Sequence, residues 1–147
     1  MKTDPISDRA ITSETYVLDA QIGYKLRIAN QKHLEIFARE IPEVTPTQFA
    51  VLARLLEVGQ VSQNHLGRLV GTDAATTKGV VSRLAKNNYV DVLRSDADKR
   101  RLLISLTKKG VWETQKFIKK AARVSELTTS KLSPKQARKL NDLLAKL

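Results

Sequence analysis

A mainly α-helical fold carrying one small β-hairpin is what this sequence predicts, and three observations lead there. Apolar residues recur at alternating steps of three and four through most of the chain, the spacing of amphipathic helices. That period breaks once, between Tyr89 and Leu106, where two runs rich in β-branched and aliphatic residues flank a polar loop. Helix starts and stops also stand where the periodic runs begin and end: Thr45-Pro46, Ser62, Gly71 and Ser133-Pro134.

The first helix is expected from about Thr12 to Arg39, with Leu18, Ile22, Leu26, Ala29, His33 and Ile36/Phe37 on one stripe. Pro42 and Pro46 end it. Thr45 caps a second helix opened by Pro46, bearing Phe49, Leu52 and Leu55/Leu56 and stopping near Gly59. Ser62 can cap a short third helix, with Leu66, Leu69 and Val70 on one face and Gly71 at its end. Thr72 or Asp73 starts a fourth, running to about Asn87. Tyr89 to Arg94 and Arg100 to Leu106 are then the strands of a hairpin with a five-residue polar loop. Thr107 opens a fifth helix through Trp112, Ile118, Ala122 and Leu127. Ser133-Pro134 starts a sixth, with Ala137, Leu140, Leu143/Leu144 and Leu147. Two short helices joined by a tight turn and followed by a hairpin describe a winged helix-turn-helix.

Composition limits what such a fold does. The 147 residues are 41% hydrophobic and 28% charged, which suits one globular domain. There is no cysteine, so disulfides, thiolate metal sites and cysteine nucleophiles are all absent. The two histidines, His33 and His65, stand far apart, and no acids cluster; no catalytic residue, metal site or cofactor is expected. The opening MKTDPISDRA has no apolar signal core and no long apolar run follows, so the reducing cytoplasm is the default location and no membrane partner is expected. The net charge of +11 favours an anionic partner without choosing among nucleic acid, membrane and acidic protein.

The fourth helix makes the choice. At about 100° per residue, Ala74, Thr77, Val81, Leu84 and Ala85 share the side expected to face the core. The other side carries Thr72, Ala75, Thr76, Gly79, Ser82, Arg83 and Lys86, with Lys78 at its margin, and it bears no acid. Small side chains let a helix sink into a major groove, hydroxyls bond bases or phosphates, and an arginine can fork onto guanine. An ordinary solvated face is the competing reading, although such faces usually mix glutamate with lysine. Gly79 costs the helix about 1 kcal/mol relative to alanine. Close approach of a partner would explain it, and so would internal packing. Gly67 stands where the third and fourth helices should cross closely, and Gly71 where the turn favours positive φ.

Beside this helix, the stretch Ser95 to Lys99 reads as a wing reaching for a minor groove, whose negative potential draws in arginine and lysine. Either Lys99 or Arg100 is the inserted tip, Asp98 supports Arg100 in an extended rotamer, and Arg94, Lys99 and Arg101 lie near phosphates. Ser62 completes the expected DNA-contacting set. A loop whose charges merely pair locally is the alternative.

The run Asp98-x-Arg100 followed by Leu106-Thr107-x-x-Gly110 resembles the wing-to-helix signature of MarR-type transcriptional regulators. Upstream, TPTQFAVLARL and LGRLVGTDAATTKGVVSRLAKNNYV are similar to that family's second to fourth helices in order and spacing. Asn88 stands where the family usually has glycine, and asparagine tolerates the left-handed conformation well. The resemblance implies dimerisation helices over 12–40 and 108–147 around a winged region over 45–107. It also implies a homodimer, charge +22, on a palindromic operator in double-stranded DNA, with half-sites about one helical turn apart. Repression relieved by a small molecule is the usual outcome.

IGYKLRIANQKH is similar to the first helix of regulators of aromatic-acid catabolism. By that analogy Arg27, Asn30 and His33 line an effector pocket, and the effector is an aromatic carboxylate or its coenzyme A thioester. The competing reading of His33 is a satisfied core or interface histidine. A non-specific or architectural nucleic-acid protein is the alternative to a repressor, since charge alone would serve it.

Overall fold

The computed structural model describes residues 12–147, so the reading of the opening ten residues lies outside it. The chain divides into two compact units, residues 1–32 and 33–147.

In the first unit, Thr12 and Thr15 close a turn on themselves: the Thr12 amide donates to the Thr15 hydroxyl at 3.0 Å, and that hydroxyl donates back to the Thr12 carbonyl at 3.1 Å. A single 3-10 turn follows at Leu18–Ala20. Helix α1 therefore spans Ile22–Glu40 and does not begin near Thr12 as its apolar spacing suggests. Threonine side chains that bond the local backbone offer it an alternative to the helical ladder, and here the alternative wins.

The second unit holds the remaining elements: α2 (Pro46–Val58), β1 (Val61–Ser62), α3 (Gln63–Val70), α4 (Ala74–Lys86), β2 (Val90–Arg94), β3 (Leu102–Leu106), α5 (Lys108–Thr128) and α6 (Pro134–Leu144). Most boundaries have a visible chemical cause. Thr45 and Gln48 cap α2 reciprocally, each side chain accepting from the other's amide. Ser133 and Gln136 repeat that box at α6. Gly71, at φ 73°, ends α3 in the left-handed conformation.

The strands form one antiparallel sheet in the order β1-β3-β2. The hairpin register runs from Val90 opposite Leu106 to Arg94 opposite Leu102, leaving residues 95–101 as the wing loop, two residues longer at its C-terminal end than the sequence suggests. The two-residue strand β1 pairs Val61 with Ile104 and Ser62 with Leu103; nothing in its sequence separates it from a helix cap. The core beneath the sheet is aliphatic, with Leu52, Leu66, Leu84 and Ile104 all fully buried. Each such side chain contributes about 1.5 to 3 kcal/mol of burial.

On α4 the buried flank is Thr77, Val80, Val81 and Leu84, whereas Ala74 is exposed and Ala85 only half-buried. The two valines turn the helix slightly from the expected orientation. Helix α5 buries Gly110, Thr114, Phe117 and Val124, leaving Trp112 at 66% and Ile118 at 40% exposure. Its apolar residues thus form two faces, of which only one meets this chain's core.

The motif Leu106-Thr107-x-x-Gly110 joins wing to helix. The Thr107 hydroxyl donates to the Asn88 carbonyl at 2.6 Å and accepts from the Gly110 amide at 2.9 Å, capping α5 while holding the turn after α4. Asn88 turns there at φ 61°, the conformation expected of it.

Candidate nucleic-acid interface

Helix α4 is capped by Asp73, whose carboxylate accepts from the Thr76 amide at 2.7 Å. That bond holds the Asp73 carboxyl below its ordinary range. Thr77 binds the turn from inside: its hydroxyl donates to the Asp73 carbonyl at 2.7 Å and bonds the Thr72 hydroxyl at 2.7 Å. Thr72 is accordingly half-buried, with its hydroxyl engaged. A Cβ on Gly67 would lie 2.7 Å from the Thr77 hydroxyl, so the α3–α4 crossing needs glycine there.

Beyond this cap, Ala75, Thr76, Lys78, Ser82, Arg83 and Lys86 are all exposed on α4, and none of the helix's thirteen residues is acidic. Among the described residues, no carboxylate forms an ion pair with Lys78, Arg83 or Lys86. A Cβ built on Gly79 would meet nothing within 4 Å, which removes internal packing as its explanation.

The wing is a braced loop. The Ser95 amide donates to the Arg101 carbonyl and the Arg101 amide to the Asp98 carbonyl, both at 2.9 Å. Arg94 donates from its guanidinium to the Lys99 carbonyl at 3.0 Å. Asp98 accepts from the backbone amide of Arg100 at 3.0 Å. This corrects the expectation that Asp98 holds the Arg100 guanidinium: it shapes the turn and leaves the side chain of Arg100 unengaged. Lys99, Arg100 and Arg101 are exposed.

Ser62 is a second correction. Only 8% of it is exposed, and its hydroxyl accepts from the His65 amide, so it caps α3 and reaches the surface only at the edge of a small hollow it lines with Gln63, Asn64, Arg100 and Arg101. The next two residues take its place. Gln63 and Asn64 line one small hollow with Arg100 and Arg101, and another with Arg68, Thr72 and Ala74. The wing base and the start of α4 therefore flank the same two amide side chains, and one polar surface joins them. The capping assignment at Ser62 already implied that Gln63 and Asn64 begin a helix; their exposure beside the wing needed the fold. His65 is exposed.

The charge is distributed unexpectedly. Residues 45–107 hold nine basic and five acidic side chains, against eleven and three in residues 108–147. Most of the net +11 lies outside the winged region, so the local absence of acid on α4, not global charge, distinguishes this surface.

Arg27 lies with its guanidinium carbon 5.4 Å from the Tyr24 ring centroid. His33, half-buried, bonds through Nδ1 to the Thr128 hydroxyl at 2.9 Å. Because that hydroxyl donates its proton to the Val124 carbonyl at 2.8 Å, Nδ1 is the donor in this bond. That bond ties His33 to α5 within the second unit. Among the described residues, Asn30 makes no side-chain hydrogen bond or ion pair.

The model of the MarR family matches residues 44–102, from the end of the α1–α2 connection to the first residue of β3. The HTH-type transcriptional repressor NicR of Pseudomonas putida is 32% identical over 134 residues, 90% of this chain and 84% of NicR. The chain belongs to the MarR family. Its solved relatives include a probable transcriptional regulator from Pseudomonas aeruginosa, 42% identical, with a TM-score of 0.85 over 88% of this chain and 98% of that one. BpsR of Bordetella bronchiseptica, whose DNA binding is regulated by 6-hydroxynicotinic acid, is 32% identical with a TM-score of 0.85, covering 89% of this chain and 95% of BpsR. The MarR-type winged helix and its role as a transcriptional regulator, not an enzyme, follow. Among the described residues, no helix is long and apolar enough to cross a membrane.

Proposed function

We propose that this MarR-family chain acts as a homodimeric repressor that reads a palindromic operator through α4 and the wing and is released by a hydroxylated aromatic or heteroaromatic carboxylate. The observation that carries the DNA reading is the acid-free exposed face of α4, continuous through Gln63 and Asn64 with the wing arginines. Thr76, Ser82 and Arg83 are the base-reading side chains, with Ala75 meeting a thymine methyl. Lys78, Lys86, Arg94, Lys99 and Arg101 serve phosphates, and Arg100 enters the minor groove.

Similarity to BpsR, whose DNA binding is regulated by 6-hydroxynicotinic acid, supports the effector class. Arg27, Asn30 and His33 are the cation, amide and imidazole that a hydroxylated ring acid calls for. With Nδ1 of His33 donating to Thr128, a neutral ring keeps Nε2 as an acceptor for a ring hydroxyl. Release is a population shift: the ligand weakens DNA binding by no more than its differential affinity for the two dimer states.

The test is titration of a DNA-bound sample with 6-hydroxynicotinate, benzoate and benzoyl-coenzyme A, following both DNA release and melting temperature. Release by a free acid, with a raised melting temperature of the DNA-free protein, is the expected result. Release by the thioester alone replaces the acid with its thioester. No release and no stabilisation by any of them removes the effector reading.

A further inference from the structure

We infer that Gly79 is a specificity-determining residue of the interface: by lacking a side chain it lets the α4 backbone lie against a base edge, and it selects for a thymine methyl at that position. This rests on the assignment of α4 as the recognition helix.

At about 100° per residue, the buried residues Thr77, Val80, Val81 and Leu84 centre on one side of α4, and Gly79 falls nearly opposite that centre. Ala75 and Lys86 flank it on one side, Thr72 and Arg83 on the other. Gly79 therefore lies on the exposed face about 30° from its midline, which passes between Ala75 and Lys86, and the side chains around it leave it half-exposed.

Among the described residues, nothing requires glycine there. Its φ is not positive, unlike those of Gly59 and Gly71. Its missing Cβ would meet open space, unlike that of Gly67, which would strike Thr77, or Gly110, which would strike Tyr89. A glycine that weakens a helix and serves no internal contact is explained by a surface that comes from outside. In a major groove, the hydrogen on its Cα presents a shallow apolar notch between Lys78 and Ser82–Arg83, the shape that the C5 methyl of thymine fills. A side chain at Gly79 would fill that notch.

Stability and recognition must then move in opposite directions on Gly79→Ala. The probes are a palindromic duplex selected from a random library by the wild-type protein, the same duplex with each thymine replaced in turn by uracil, and a scrambled duplex. The variant's melting temperature without DNA should rise by about 2 to 4 °C. Its affinity for the selected duplex should fall about tenfold or more, with less than about twofold change on scrambled DNA. One uracil replacement should weaken the wild type and leave Gly79→Ala unaffected. Unchanged affinity for the selected duplex, an equal fall on both duplexes, or a uracil effect that persists in the variant overturns the inference while leaving the recognition helix in place. A wild-type protein that yields no preferred duplex removes the recognition-helix assignment and this inference together.

Discussion

The Cβ that Gly110 lacks would lie 1.9 Å from the backbone carbonyl oxygen of Tyr89. The first turn of α5 is pressed against the chain leaving α4, and only a hydrogen fits between them. Two further bonds hold the same junction, from the Thr107 amide to the Tyr89 carbonyl at 3.1 Å and from the Thr107 hydroxyl to Asn88. The end of α4, the end of the hairpin and the start of α5 are therefore held together at this junction.

Gly110→Ala should accordingly destabilise the protein by about 3 kcal/mol, the upper end for overpacking, because the obstructing atom is backbone and cannot rotate away. Chemical denaturation measures this directly. A loss under about 1 kcal/mol would mean that α5 can shift freely at its start.

Thr114 presents the opposite opportunity. It is fully buried, and its hydroxyl has no hydrogen-bond partner among the described residues. Thr114→Val keeps the shape and removes the orphaned polar group, so it should stabilise by about 1 kcal/mol. A destabilised variant in the same denaturation assay would show that the hydroxyl is satisfied.

Asp73 links pH to helix α4. Its carboxyl is held below the ordinary range by the Thr76 amide, so the folded state binds its proton less readily than the unfolded chain. The stabilising contribution is complete above the unfolded value and is lost as pH falls through the folded one. Asp73→Asn keeps a capping oxygen that does not titrate. Wild type should lose stability relative to this variant on acidification below about pH 4. Parallel pH curves for the two proteins would show that the cap contributes nothing to the acid response.

Arg83 and Arg100 separate the two readout modes. Arg83→Ala should cost about 1 to 3 kcal/mol on the selected duplex and relax preference at one base pair. A loss uniform across sequences would make Arg83 a phosphate contact. Arg100→Ala should weaken sites with A·T-rich flanks most. Equal losses on A·T-rich and G·C-rich flanks would contradict minor-groove insertion.

Much of this architecture is legible in the residues because local chemistry decides it. Thr45-Pro46, Ser62, Gly71, Thr107 and Ser133-Pro134 act within their own turns, and each boundary stands where they place it. Where the outcome depended on competition or on distant partners, the reading fell short. The apolar spacing through Leu18 suggested helix, but the threonine turn prevailed. Strand β1 exists only because β3 comes alongside it. At the interface, the exposed face of α4 was visible from periodicity alone. The role of Asp98 depended on which Arg100 donor lies within reach, a matter of loop geometry. Gln63 and Asn64 joined the surface only when the wing folded back beside them.

The central claim is that the α4 face and the wing read sequence and do more than attract phosphate. Equilibrium binding of a duplex selected from a random library, set against a scrambled duplex at physiological salt, tests it most directly. The account predicts a preference of about a thousandfold or more for the selected duplex. Equal affinity for the two would contradict it and leave a protein that binds DNA by charge alone.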